Sequence, residues 1–143
     1  MDNQQANRVA WLAGLIEGDG SIYFDKYNPR GYWKVTPEIT ITNKDYKLIT
    51  QSSDILKENN IGCFIQQRKI KNGVVYDVKV KGYKRAKTAL EVISTYLVGN
   101  KRTKAERMLN MINVRLSNTL NNPNVSYTEE EKQLFTEFKS LND

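Results

Sequence analysis

The sequence predicts an α+β fold: two helix–hairpin units whose four strands form one curved antiparallel sheet, with helices on one face and further helices toward the C-terminal end. Three observations predict it. The apolar period falls from three-to-four to two at Asp19 and Gly20; the same change recurs around Gly62; after Gly82 the helical spacing returns and persists. The resulting order is αββαββα plus C-terminal helices, and 143 residues suit one domain.

Residues 7–18 read as the first helix, because Trp11, Leu12, Leu15 and Ile16 recur at helical spacing and Gly20 stands where a left-handed capping glycine is expected. Ile22 and Phe24 then alternate with Ser21, Tyr23, Asp25 and Tyr27, and "NPRG" reads as a turn. The return strand, 32–42, alternates Val35, Pro37, Ile39 and Ile41 with Lys34, Thr36, Glu38 and Thr40. Pro37 lacks an N–H and calls for an edge or irregular position there. Asn43 is expected to cap a second helix reaching residue 59, with Tyr46, Ile49 and Leu56 inward and Gly62 at its end.

The second hairpin is "CFIQQRKI", a tight Lys71-Asn72-Gly73 turn and "VVYDVKVK", with Cys63 and Ile65 facing Tyr76, Val78 and Val80. One helix follows with Ala86, Ala89, Leu90, Ile93 and Leu97, and another with Ala105, Met108, Leu109, Ile112 and Leu116. The last carries Leu134, Phe135, Phe138 and Leu141 behind the capping-box pattern Thr128-x-x-Glu131.

Composition narrows the chemistry. With no histidine and a single cysteine, Cys63, there is no internal disulfide, no zinc site and no Ser-His or Cys-His nucleophile. Oxygen ligands and hard cations remain. A net charge of +6 and a pI near 9.4 favour a polyanionic partner. No apolar run approaches the length needed to span a bilayer, so no membrane partner is expected, and the N-terminal residues "MDNQQANR" lack the features of a secretory signal. The expected location is the compartment of the encoding genome, not the exterior. The excess of lysine over arginine and the frequent asparagine suit an AT-rich genome, such as that of an organelle or phage.

One sheet face should carry Tyr23, Asp25, Tyr27, Lys34, Thr36, Glu38 and Thr40 from the first hairpin and Gln66, Arg68, Val75, Asp77 and Lys79 from the second. Any half-buried antiparallel sheet has a polar, solvated face. This mixture of donors, acceptors, arginine and aromatics is also what reading base edges in a major groove needs. Arg102, Lys104 and Arg107, with Lys69, Lys71, Lys81, Lys84, Arg85 and Lys87, are candidates for phosphate contacts.

On the first helix, Ala10, Ala13, Gly14 and Gly18 form a small-residue strip that permits close approach of another helix, either from the chain's own core or from a second copy. Asp19 lies at the helix C-terminus, where the macrodipole disfavours a carboxylate and something positive should sit. Glu17 reads as structural.

The nine residues "LAGLIEGDG", 12–20, followed by "SIYF", closely resemble the signature of the LAGLIDADG homing endonucleases, and the αββαββα order fits that family through about Leu116. The resemblance implies a homodimeric enzyme of the single-motif type that cuts both strands of a long, near-palindromic DNA duplex, with the small-residue strip at the two-fold axis. It implies that Asp19, with the carbonyl of Gly18, binds Mg²⁺, or another divalent cation such as Mn²⁺, with Ca²⁺ binding without supporting cleavage; no small-molecule cofactor is implied. Asn43, Lys47 and Lys101 match family positions that order solvent and neutralise charge around the metals. A non-cutting nucleic-acid binder of the same fold, such as an intron RNA maturase or a transcription regulator, is the alternative. The retained Asp19 favours cleavage.

Overall fold

A computed structural model describes residues 1–27 and 29–141; Asn28, in the first expected turn, lies outside the described residues. The elements are α1 (Asn3–Asp19), β1 (Gly20–Tyr27), a 3-10 turn (Pro29–Gly31), β2 (Lys34–Asn43), α2 (Tyr46–Glu58), β3 (Phe64–Ile70), β4 (Gly73–Lys81), α3 (Tyr83–Ile93), a second 3-10 turn (Ser94–Tyr96), α4 (Gly99–Asn118) and α5 (Glu129–Lys139). The four strands form one antiparallel sheet in the order β1-β2-β4-β3, so each hairpin contributes one central and one edge strand.

The inward face of the sheet carries Ile22, Phe24, Val35, Ile39, Ile41, Val78 and Val80, which pack with Val9, Leu12, Ile16, Ile49, Leu90, Met108 and Ile112 of the helices. Phe135 and Phe138 of α5 meet Phe24 edge-on, with ring centroids 6.0 and 5.0 Å away, closing the core beneath the first hairpin. α5 is fastened by a buried charge pair. Glu131 accepts from Arg115 Nη1 at 3.2 Å, from Asn118 Nδ2 at 3.2 Å and from the Thr128 N–H at 2.9 Å, the last completing the expected capping box. The same Arg115 lies over the Tyr127 ring and donates to the Val125 carbonyl.

Several boundaries differ from the sequence reading, each for a local reason. α1 starts four residues earlier because Asp2 and Gln5 form a capping box. Gly20 is extended, with φ −98°, and does not cap in the left-handed region. Glycine is needed there for space: a Cβ would stand 2.7 Å from the Ile16 carbonyl oxygen. Asp45 caps α2 in place of Asn43, which stays in β2. Tyr46 points outward and packs against Tyr76, centroids 4.8 Å apart. The left-handed residue behind α2 is Asn60, with φ 62°; Gly62 instead gives room to Arg85. Tyr32 precedes its strand, and Leu97 and Leu141 lie beyond their helices, although Leu97 is fully buried.

Pro37 sits in a central strand, where a proline is unusual. It is tolerated because the ladder to β4 begins at Glu38, paired with Lys81. Pro37 meets only the end of that strand, where its carbonyl accepts the Gly82 N–H at 3.0 Å.

Candidate nucleic-acid interface and acidic helix end

The sheet face opposite the helices is the one that the alternation singled out. Tyr23 pairs with Glu38, Asp25 with Thr36 and Tyr27 with Lys34; across the central strands Thr40 pairs with Lys79, and on the second hairpin Gln66 pairs with Asp77 and Arg68 with Val75. Alternation and register together place Ser21, Thr42, Phe64, Ile70 and Lys81 on the same face. Of these, Phe64 is exposed opposite Lys79, an apolar group amid polar ones.

Burial divides this face into two levels. Asp25, Tyr27, Lys34, Gln66 and Arg68 are exposed, and Tyr23, Thr36 and Lys79 half-buried; Glu38, Thr40, Val75 and Asp77 are buried. The two buried carboxylates, both expected on the face that would meet DNA, are bonded within the chain. Asp77 accepts from Arg68 Nε at 2.5 Å and Nη2 at 3.0 Å, and from the Thr42 hydroxyl. The Arg68 guanidinium holds the Asp77 carboxyl below its ordinary range against the opposing effect of burial. Glu38 accepts from the Tyr23 hydroxyl and lies 3.1 Å from the Lys81 ammonium, which is also 3.8 Å from Asp25. Burial, then the Glu38 contact, pushes the Tyr23 phenol up, and Glu38 raises the Lys81 ammonium.

The second feature is the C-terminal end of α1. Asp19 is exposed, and Asn43 Nδ2 donates to its Oδ2 at 2.8 Å. The Asn43 amide has a second task, since its Oδ1 accepts the Asp45 N–H at 2.8 Å. The positive group expected at this helix end is Lys101: its Nζ donates to the carbonyls of Ile16 at 2.8 Å and Glu17 at 2.7 Å. The Gly18 carbonyl is the next along the chain. Glu17 is structural, as expected, accepting the Val98 N–H at 2.5 Å. Lys47 is exposed in the first turn of α2 and, among the described residues, has no side-chain bond to Asp19 or Asn43. A cavity of about 310 Å³ adjoins this end, lined by Gly20, Ser21, Ile22, Tyr23, Lys101 and Lys104, and burial together with Lys101 lowers the Lys104 ammonium.

The small-residue strip is revised at one position. Ala13 is fully buried in the chain's own core, whereas Ala10, Gly14 and Gly18 are exposed. A Cβ added to Gly14 or Gly18 meets nothing within 4 Å. Nothing among the described residues requires glycine at either place.

An oxygen-ligand cation fits the donors at this helix end. One exposed carboxylate and an adjacent backbone carbonyl suit Mg²⁺, which is held by one or two carboxylates with waters and phosphates completing its shell. Among the described residues no three His, Cys, Asp or Glu side chains converge.

These two features, an open sheet face with exposed Lys34, Arg68 and Lys81 and a helix ending in an exposed carboxylate, belong to a two-layer α+β protein with one sheet face left uncovered by helices. The LAGLIDADG endonuclease model matches residues 12–112, and the chain belongs to that family. Among solved structures it is similar to the homing endonuclease I-CvuI, with 27% identity over 99% of this chain and 86% of that one and a TM-score of 0.74; I-CvuI has been seen with its target in the presence of Ca, and with the I-CreI target in the presence of Mg with the DNA not cleaved. The archaeal intron-encoded I-Vdi141I, complexed with DNA, shares the fold at 16% identity over 96% of this chain and 85% of that one, with a TM-score of 0.70. The meganuclease I-SmaMI, bound to uncleaveable DNA, shares it at 17% identity over 92% of this chain but 43% of its own, with a TM-score of 0.69. No curated protein matches. Among the described residues no helix is long and apolar enough to cross a membrane.

Proposed function

We propose that residues 1–143 form one homing-endonuclease domain that acts as a homodimer, hydrolysing both strands of a specific, near-palindromic DNA duplex with Mg²⁺. The placement of Asp19 carries this reading: an exposed carboxylate at the negative end of a helix, fixed by Asn43 and directly preceding β1. A protein that only bound DNA would gain nothing from a carboxylate there, since it repels phosphate. Gly14 and Gly18 support the dimer. Each costs the helix up to about 1 kcal/mol relative to alanine without serving its own chain, as expected if a second α1 packs there. The fold of this chain also accounts for less than half of I-SmaMI.

When bound, the cation would activate water and neutralise charge at the phosphate. The chain's own residues perform the rest. Asp19 and the Gly18 carbonyl would hold the cation. Asn43 fixes one oxygen of Asp19. Lys101 secures the end of the helix that carries both. The open face of each sheet would follow about one helical turn of duplex, roughly 10 bp, on either side of the two-fold axis.

Incubation with a randomised duplex library and Mg²⁺, with sequencing of cut ends, tests the reading. Enrichment of one site of about 20 bp with two-fold character is expected. For Asp19→Asn, cutting should collapse in single-turnover assays while gel-shift affinity for that site persists or tightens. Native-rate cutting by Asp19→Asn would remove the metal assignment, and binding without cutting by the wild type would point to a maturase or regulator.

A further inference from the structure

The two carboxylates on the open sheet face lie beneath its surface. The Asp77 side chain is 1% exposed and that of its partner Arg68 45%; Glu38 is 4% exposed and its partner Lys81 44%. Neither carboxylate can reach a base edge from that depth. We propose that Asp77 and Glu38 are positioning residues for sequence discrimination, aiming Arg68, Lys81 and Tyr23 at the bases. The inference rests on the reading that this face receives duplex DNA.

The geometry at Asp77 is the more constrained. A guanidinium carries five N–H groups in one plane. Arg68 spends Nε and one Nη2 hydrogen on Asp77. What remains is its outer edge, Nη1 with the second Nη2 hydrogen, the paired spacing that suits O6 and N7 of guanine. Thr42 donates to Asp77 from β2, so side chains from β2 and β3 converge on a carboxylate of β4. Glu38 repeats the arrangement from β2, with Tyr23 of β1 and Lys81 of β4 as the groups it holds. The pairing also neutralises two negative charges on a surface that must approach phosphates.

Site selection from a randomised half-site library, with the wild type, Arg68→Ala, Asp77→Asn and the double variant, tests the proposal. Arg68→Ala should lower base preference at one position by about tenfold or more. Asp77→Asn should lower preference at the same position, and in the Arg68→Ala background should cause no further loss. Thr42→Val keeps both charges and should blur the same position by a smaller factor; it reads the same relation if Asp77→Asn does not fold. Loss at a different position, unchanged preference in Asp77→Asn, or full additivity with Arg68→Ala overturns the proposal while the recognition reading stands. A wild type that enriches no sequence overturns both.

Discussion

Glu17 and Lys101 join two helices by their ends: Glu17 Oε1 accepts the Val98 N–H at the start of α4, and Lys101, in the first turn of α4, returns its ammonium to the Glu17 carbonyl at 2.7 Å. Each helix pole is thereby met by charge of the opposite sign. The clasp fixes the segment from which Asp19 projects.

Lys101→Met keeps most of the apolar stem and removes the ammonium, so the carbonyls of Ile16 and Glu17 lose charge-assisted donors. Stability should fall by about 1–3 kcal/mol, read as a lower urea midpoint. An unchanged midpoint would mean that the ammonium contributes nothing to the helix end.

Gly14 and Gly18 have open space around them within the chain. Gly14→Ala should therefore raise the stability of an isolated chain by roughly 0.5–1 kcal/mol. Gly14→Val and Gly18→Val should leave the circular dichroism spectrum intact and shift sedimentation from dimer to monomer, with loss of cutting. A valine variant that remains dimeric and active removes this face from the interface.

The depressed carboxyl of Asp77 contributes stability that is complete above its ordinary value of 3.8 and is lost as pH falls through the lower folded-state value. Arg68 is the main cause of that depression. Denaturant midpoints of wild type and Asp77→Asn should keep a constant separation from pH 7 to about pH 5 and converge below 3.8. Convergence already between pH 7 and pH 5 would assign the difference to another group.

Arg115 and Glu131 are both buried. Glu131→Ala strands the guanidinium and should destabilise the protein by about 3–5 kcal/mol. The paired substitution Arg115→Met with Glu131→Leu should recover most of that loss. A single variant as stable as wild type would show that α5 is held by its phenylalanines alone.

Much of this was legible in the sequence. "LAGLIEGDG" marked the helix end and its carboxylate, and the period-two runs sorted Ile22, Phe24, Val35 and Ile39 from Tyr23, Asp25, Lys34 and Thr36. Alternation identifies a face and not a depth, however, so Glu38 and Asp77 read as surface acids although their partners cover them. Asn43 and Asp45 are both good helix caps by type. A bond from Asn43 to Asp19, 24 residues away, keeps the former in β2, and no local rule contains that contact. Lys101 read as a helix-start lysine in the metal surroundings because its targets, Ile16 and Glu17, lie 85 and 84 residues earlier. Ala13 joined the strip by residue type, while the helix's rotation turned it into the core.

Among the described residues the strand order leaves β3 with a single neighbour and one free line of backbone donors and acceptors. Such an edge is a template for another chain, and the apolar Phe64, Ile65 and Ile70 would make it an adhesive one. Arg68 and Lys69 on the strand, with Lys71 in its turn, put like charge along that line. Two molecules meeting edge to edge would bring these cations together. The basic character suited to a polyanion thus also protects against polymerisation, and substitutions that neutralise this strand to alter target choice would lower solubility along with it.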